Sequence, residues 1–134
     1  MGGSIIGIDP GWEKCGVAVV ERDGVCKERH VVPSEKMVSF IKTLCVQYEQ
    51  VTIVLGDGTG SDLFVKQLRQ ANLPNLKKDI VIIDEFRSTE EARKLYLLEN
   101  RRGWRRFVPI GLQMPDQPVD GYVAEVLARK YLEQ

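Results

Sequence analysis

The sequence predicts an α/β protein built on a five-stranded mixed sheet with helices on both faces. Apolar segments rich in Ile and Val open the chain and indicate strands, and Asp23-Gly24 provides a hairpin turn between two of them. After these strands, helical and strand patterns alternate along the chain. An antiparallel meander followed by such an alternation brings later strands parallel to the first only through helical crossovers, which cover the sheet faces.

The first three strands form the predicted meander. They are expected at Ser4–Asp9, Cys15–Glu21 and Val25–Val32. The first ends at the Pro10-Gly11 turn signal, and the second and third flank Asp23-Gly24.

The crossover half begins with a helix over Ser34–Gln47, for which Ser34 is a plausible N-cap. A short buried strand is predicted at Val51–Leu55 and a fifth strand at Ile80–Ile83. Between them, a helix over Ser61–Ala71 is expected to turn Leu63, Phe64 and Leu68 inward. Two further helices are predicted, at Ser88–Asn100, where Ser88 and Glu91 form a capping box, and at about Val119–Leu132.

Composition indicates one ordinary domain over residues 1–134. Hydrophobic residues make up 43% of the chain and charged residues 28%, and 19 basic residues balance 19 acidic ones. Any nucleic-acid contact must therefore come from a local patch. The sequence contains no apolar run that could span a membrane and no signal-peptide pattern. Its three cysteines are expected to be reduced thiols, although Cys15 and Cys26 could face each other, and we expect a cytoplasmic protein.

Acidic residues recur where the predicted parallel strands end. Asp9 ends the first strand, Asp57 follows the fourth, Asp84-Glu85 ends the fifth, and Asp120 opens the last helix. Neighbouring strands lie about 4.8 Å apart, so such carboxylates can reach a common point. An all-oxygen cluster favours Mg²⁺ or Mn²⁺, and two such ions can assist phosphodiester hydrolysis. The alternative is that each acid separately caps a turn or a helix N-terminus.

Three segments carry a family resemblance. The chain resembles, in order, three signatures of the YqgF-type ribonuclease H-like family. They lie at Gly7-Ile8-Asp9-Pro10-Gly11, in the run from Ile82 to Ala92, and at Val119–Ala124. This family includes Holliday-junction resolvases and nucleases that process the precursor of 16S ribosomal RNA. The resemblance implies a ribonuclease H-like fold and a metal-dependent nuclease with Asp9, Glu85 and Asp120 as its acidic triad.

Two departures from the family pattern keep alternatives open. Phe86 stands where the family usually has Arg, although Arg87 follows and could contact nucleic acid in its place. The Gly56–Ser61 loop resembles that of the YqgF-like module of the transcription-accessory protein Tex, which suggests a binding module with a vestigial site. Asp57 in this loop could instead supply a fourth metal-ligating carboxylate. A third, less favoured reading is the phosphate-binding hairpin of an actin-like or sugar-kinase ATPase, which requires two such domains.

An arginine-rich segment is the second candidate site. Arg101, Arg102, Arg105 and Arg106 surround Trp104. Arginine pairs bidentately with phosphate, and an interleaved aromatic ring can stack on an unpaired base. The alternative is that the first arginines complement a helix C-terminus and Trp104 packs on the core. We expect a nucleic-acid partner, either structured RNA or branched DNA, no membrane contact, and a monomer or homodimer.

Overall fold

The computed structural model of the protein describes residues 3–58, 60–84, 94 and 120–133, with Asp120 described by its backbone alone. The helix expected at Ser88–Asn100 lies, apart from Lys94, outside these residues. No helix in the described part of the chain is long and apolar enough to cross a membrane.

The first half of the fold is the predicted meander. Strands β1 (Ser4–Asp9), β2 (Lys14–Glu21) and β3 (Cys26–Pro33) pair antiparallel in chain order. At the β2–β3 hairpin, Gly24 adopts a φ of +93°, and the Val25 amide donates to the Asp23 carboxylate at 3.0 Å. The Asp23-Gly24 turn is thus confirmed. Glycine suits this position because it reaches positive φ without steric cost.

Two later strands extend the sheet on the other side of β1. Strand β4 (Val51–Gly56) pairs parallel to β1, and β5 (Val81–Ile83) pairs parallel to β4. Among the described residues the sheet therefore has five strands, in the order β3-β2-β1-β4-β5. The predicted mixed sheet is confirmed, and β1, β4 and β5 end at the same edge.

Helices cover both faces of this sheet. Helices α1 (Met37–Gln47) and α2 (Ser61–Gln70) lie on the face that carries Ile6 and Ile8. Helix α3 (Asp120–Glu133) lies on the opposite face, over Ile5. This alternation along β1 follows from the period-2 geometry of a strand, and full burial of each Ile side chain stabilises the fold by about 1.5–3 kcal/mol.

Ser34 does not cap α1. A 3₁₀ turn (Ser34–Lys36) precedes the helix, whose N-cap position is Lys36. The Ser34 hydroxyl donates instead to the Gly11 carbonyl at 2.6 Å. This tertiary partner replaces the helix amide that the sequence pattern suggested.

Two expectations about packing were also wrong. In α2, Phe64 and Leu68 are buried as predicted, but Leu63 is 47% exposed. Consecutive residues of a helix point in different directions, so Leu63 does not share the inner face with Phe64. Cys15 and Cys26 do not face each other, since Cys15 packs on the α1 and α2 side and Cys26 on the α3 side. All three cysteines are free thiols, as expected.

Candidate metal and nucleic-acid site

Three aspartates lie at the shared carboxyl-terminal edge of the parallel strands. Asp9 is the last residue of β1 and is half-buried, whereas Asp57 and Asp84 follow β4 and β5 and are exposed. The Asp57 amide donates to the carbonyl of Ile83 at 3.0 Å, which ties the ends of β4 and β5 together. The edge where ligands bind in open α/β sheets is therefore acidic in this protein.

Two side chains contact the backbone of the turn that follows Asp9. The Gly11 carbonyl accepts the Ser34 hydroxyl at 2.6 Å, and the buried Cys15 thiol lies 3.8 Å from the same oxygen. A Cβ atom at Gly11 would lie 2.4 Å from the carbonyl oxygen of Lys14. The turn therefore needs glycine at this position, and the two side chains fix the backbone just beyond Asp9.

Helix α3 comes unusually close to β1. A Cβ atom at Gly7 would lie only 2.1 Å from the carbonyl oxygen of Ala124, so a side chain at Gly7 would force the helix away. At its start the helix lies over β3, where a Cβ atom at Gly121 would be 3.4 Å from the Cβ atom of Arg29. These contacts set the position of the backbone that carries Asp120.

A buried charge network fixes α3 against β3. Glu125 is 1% exposed, and its carboxylate accepts hydrogen bonds from Arg29 at 2.6 Å and from Arg129 at 2.8 Å. The Arg29 guanidinium also lies 4.3 Å above the centre of the Tyr122 ring, a cation–π geometry.

The network also shifts the pKa values of groups within it and beside it. Burial disfavours the charged form of Arg29, but the hydrogen bond to Glu125 and the surrounding charges raise its pKa overall. Burial, reinforced by the nearby negative charge of Glu125, raises the pKa of the Cys26 thiol to about 11.

Only part of the predicted site falls on described side chains. Asp9 and Asp57 are described, and Asp120 is described as the first residue of α3. The remaining predicted residues lie outside the described part of the chain: Glu85, Arg87, Arg101, Arg102, Trp104, Arg105 and Arg106. Within residues 3–58, 60–84 and 121–133, no three acidic, histidine or cysteine side chains form a group that could hold a metal ion.

Sequence reasoning missed three features of this region. Trp12 is 66% exposed, Ser34 anchors the Gly11 turn, and Glu125 is a buried anion. The signal for Glu125 was available, because a single acid within the apolar run Val123–Ala128 must find cationic partners when that helix packs. Nothing in the sequence indicated that Ser34 would contact Gly11, 23 residues away.

Comparisons with known proteins give matches among solved structures alone. No protein-family model matches the chain, and no curated protein matches it. The structure of Thermus thermophilus RuvC in complex with a Holliday junction substrate is 16% identical, covers 93% of this chain and 89% of that one, and gives a TM-score of 0.48. A second Thermus thermophilus RuvC structure is 17% identical, with coverages of 93% and 90% and a TM-score of 0.45.

A third similar structure is a ROK family protein from Streptococcus pneumoniae in complex with sucrose. It is 13% identical, with a TM-score of 0.41 over 69% of this chain, and the match spans 38% of that protein. The likenesses concern the fold. The described residues of this chain form an antiparallel β1-β2-β3 meander, with β4 and β5 added parallel to β1.

Proposed function

We propose that this protein is a metal-dependent endonuclease that hydrolyses phosphodiester bonds in structured nucleic acid. The substrate class is either a branched DNA of the Holliday-junction type or the precursor of 16S ribosomal RNA. The observation that supports this best is the acidic edge, where Asp9, Asp57 and Asp84 lie at the carboxyl-terminal ends of three adjacent parallel strands.

We assign the catalytic carboxylates to Asp9, Glu85 and Asp120, with Asp57 as a further metal ligand. Strand alternation favours Glu85 over Asp84 as the partner of Asp9. Ile83 packs on the α3 side of the sheet, and Gly7, two residues before Asp9, also faces α3. In the sequence, Glu85 follows Ile83 by two residues, the same spacing that separates Asp9 from Gly7, and residues two apart in a strand share a face.

The donor set suits hard divalent cations. Carboxylate oxygens are ligands that Mg²⁺ and Mn²⁺ prefer, and neutralisation by such ions relieves repulsion between clustered acids. When bound, the ions supply Lewis acidity and an activated water for in-line displacement at phosphorus. The protein's own residues hold the ions, and Arg87, Arg101, Arg102, Trp104, Arg105 and Arg106 are proposed to bind the nucleic-acid backbone and an unpaired base.

A cleavage assay with paired substrates tests the proposal. A fluorescent four-way DNA junction and a fluorescent RNA stem-loop are incubated with wild-type protein and Mn²⁺, and then with Asp9→Asn. We expect wild-type protein to cut one substrate class and Asp9→Asn to bind it without cutting. A matched control is Asp79→Asn, since Asp79 is exposed and paired with Arg69 away from the acidic edge.

Each outcome has a definite meaning. Cutting that persists in Asp9→Asn comes from a contaminating nuclease and counts against the proposal. Binding of both substrates with no cutting by wild-type protein in Mg²⁺ or Mn²⁺ identifies a nucleic-acid-binding module with a vestigial site. Symmetric nicking of a junction would additionally call for a homodimer, whereas RNA trimming is compatible with a monomer.

Metal titration tests the ligand assignment separately. We expect Glu85→Gln to abolish Mn²⁺ binding in calorimetry and Asp57→Asn to weaken it. Unchanged affinity in Asp57→Asn, with loss in Glu85→Gln, would remove Asp57 from the ligand set and leave the triad in place.

A further inference from the structure

An open groove of about 560 Å³ lies beside the turn that follows Asp9. Trp12 forms one side, and residues from the 3₁₀ turn, α1 and α2 form the rest, including Glu35, Val38, Leu63, Gln67 and Gln70. This volume lies within the range of small-molecule sites and can hold one nucleotide.

The Trp12 ring is a fixed aromatic surface in solvent. The side chain is 66% exposed, and Leu63 beside it is 47% exposed. The benzene half of the indole rests on Gly60, where a Cβ atom would lie 3.0–3.4 Å from three ring atoms. Gly60 adopts a φ of +71°, so the backbone that supports the ring disfavours a side chain on two grounds. Exposed apolar side chains gathered in a groove with polar residues in its lining are typical of ligand-binding sites.

The charges around the groove favour a base over a phosphate. Seven exposed charged side chains belong to lining residues or their neighbours within two positions in sequence: Glu13, Lys14, Glu35, Lys36, Asp62, Lys66 and Arg69. Four are positive and three negative, and Arg69 is paired with Asp79 at 2.7 Å, so the region has no excess charge to attract a polyanionic backbone. The Glu35 carboxylate and the Gln67 and Gln70 amides can instead hydrogen-bond the edge of a neutral base.

The groove is connected to the turn that follows Asp9 through one hydrogen bond and through the chain itself. Ser34 lines the groove and donates its hydroxyl to the Gly11 carbonyl, two residues beyond Asp9. Trp12 itself is three residues beyond Asp9. A nucleotide bound on Trp12 would therefore lie at the turn that follows Asp9, on the α1 and α2 side of the sheet.

We propose that this groove binds an unpaired nucleobase of a single-stranded segment, stacked on Trp12. The inference rests on the proposed function for the identity of the ligand and adds that the substrate carries an unpaired nucleotide that binds at the turn following Asp9. Base stacking on an aromatic ring tolerates any sequence, so the groove selects single-stranded over duplex structure.

Binding in EDTA tests the groove without catalysis. Fluorescence anisotropy is measured with labelled dT12 and rU12 and with a blunt DNA duplex. We expect Trp12→Ala to weaken binding of the single strands by about 5- to 150-fold and Trp12→Phe to retain most of it. Duplex binding and the salt dependence of single-strand binding should not change, because no phosphate contact is lost. The control is Val46→Ala, an equally exposed apolar side chain on α1.

A fluorescence measurement locates the base. In the wild type dT12 should quench tryptophan emission, and the part of this quenching that comes from Trp12 should be lost in Trp12→Phe. Absence of quenching, equal single-strand affinity in wild type and Trp12→Ala, or equal loss of duplex binding would each overturn the inference. A shift from dimer to monomer in Trp12→Ala by sedimentation, without loss of dT12 binding, would show a self-association surface instead.

The two proposals fail separately. Cleavage that depends on Asp9, together with unchanged dT12 binding in Trp12→Ala, leaves the nuclease and removes the stacking groove. Trp12-dependent binding of dT12 by a protein that never cuts leaves the groove and removes the nuclease.

Discussion

The carboxylate of Glu125 in α3 accepts a hydrogen bond from the Arg29 guanidinium of β3 at 2.6 Å. Glu125 is 1% exposed, whereas the Arg29 side chain remains 29% exposed. The anion is thus removed from water while its cation keeps partial hydration. Because the pair joins the last helix to the outer strand, it couples the position of α3 to the sheet.

We expect Glu125→Gln to lower the free energy of unfolding by about 2–3 kcal/mol. Removing one partner of a buried pair typically costs about 3–5 kcal/mol, and the exposure of both arginines reduces that penalty because they can regain water. Urea denaturation measures the change. As a control, Asp79→Asn breaks the exposed Arg69–Asp79 pair and should change stability little. Equal effects of the two substitutions would contradict the role assigned to burial.

We expect Gly7→Ala to destabilise the protein by at least about 1–3 kcal/mol, the usual cost of overpacking a core. The added Cβ atom would lie 2.1 Å from a backbone oxygen of α3, which cannot rotate away. Nuclease activity should also fall, because the displaced helix begins at Asp120. Denaturation and cleavage assays measure the two effects. Gly121→Ala is the matched control, since its Cβ atom meets ordinary contacts of 3.4 Å or more; wild-type stability in Gly7→Ala would disprove the close approach.

We expect Ser34→Ala to cost about 1 kcal/mol, the net value of one intramolecular hydrogen bond. It removes the donor that holds the Gly11 carbonyl, so the turn beyond Asp9 should loosen and the turnover number should fall. Ser39→Ala is the comparison, because the exposed Ser39 hydroxyl also donates to a carbonyl, that of Lys36, at 3.0 Å. If both variants lose the same stability and activity, Ser34 has no positioning role.

We expect the protein to lose stability between about pH 9 and pH 11. Burial raises the pKa of the Cys45 thiol from 9.0 to about 11, so the folded state keeps a proton that the unfolded chain loses first. The contribution is complete below pH 9 and declines as pH rises to the folded pKa. Cys26 acts in the same direction, with a pKa of about 11, and burial followed by the hydrogen bond to Glu28 raises the pKa of Tyr48.

Urea denaturation from pH 8 to pH 11 measures this decline. One proton contributes a slope of up to about 1.4 kcal/mol per pH unit, so Cys45→Ala should show a shallower fall than the wild type. Identical slopes for the two proteins would mean that Cys45 ionises equally easily in the folded and unfolded states.

Much of the fold could be predicted because its signals are local. The apolar run of Ser4–Asp9 and the Asp23-Gly24 turn depend on neighbouring residues, and both were confirmed. The prediction that Ser34 caps a helix was wrong, because its hydroxyl donates to the Gly11 carbonyl, 23 residues away, and not to an amide of its own helix. The prediction for Leu63 was also wrong, because its facing depended on the exact phase of α2.

The candidate site, like the fold, could be predicted from the sequence only in part. The sequence by itself determined which strands end in an acid, because Asp9 and Asp57 follow short apolar segments rich in the β-branched residues that are enriched in strands. Tertiary structure alone decided that these strands lie side by side, how closely α3 approaches Gly7, and that Trp12 stands over Gly60 beside a groove. Such contacts join residues far apart in the chain, and their geometry is set by packing between whole elements, which no local pattern encodes.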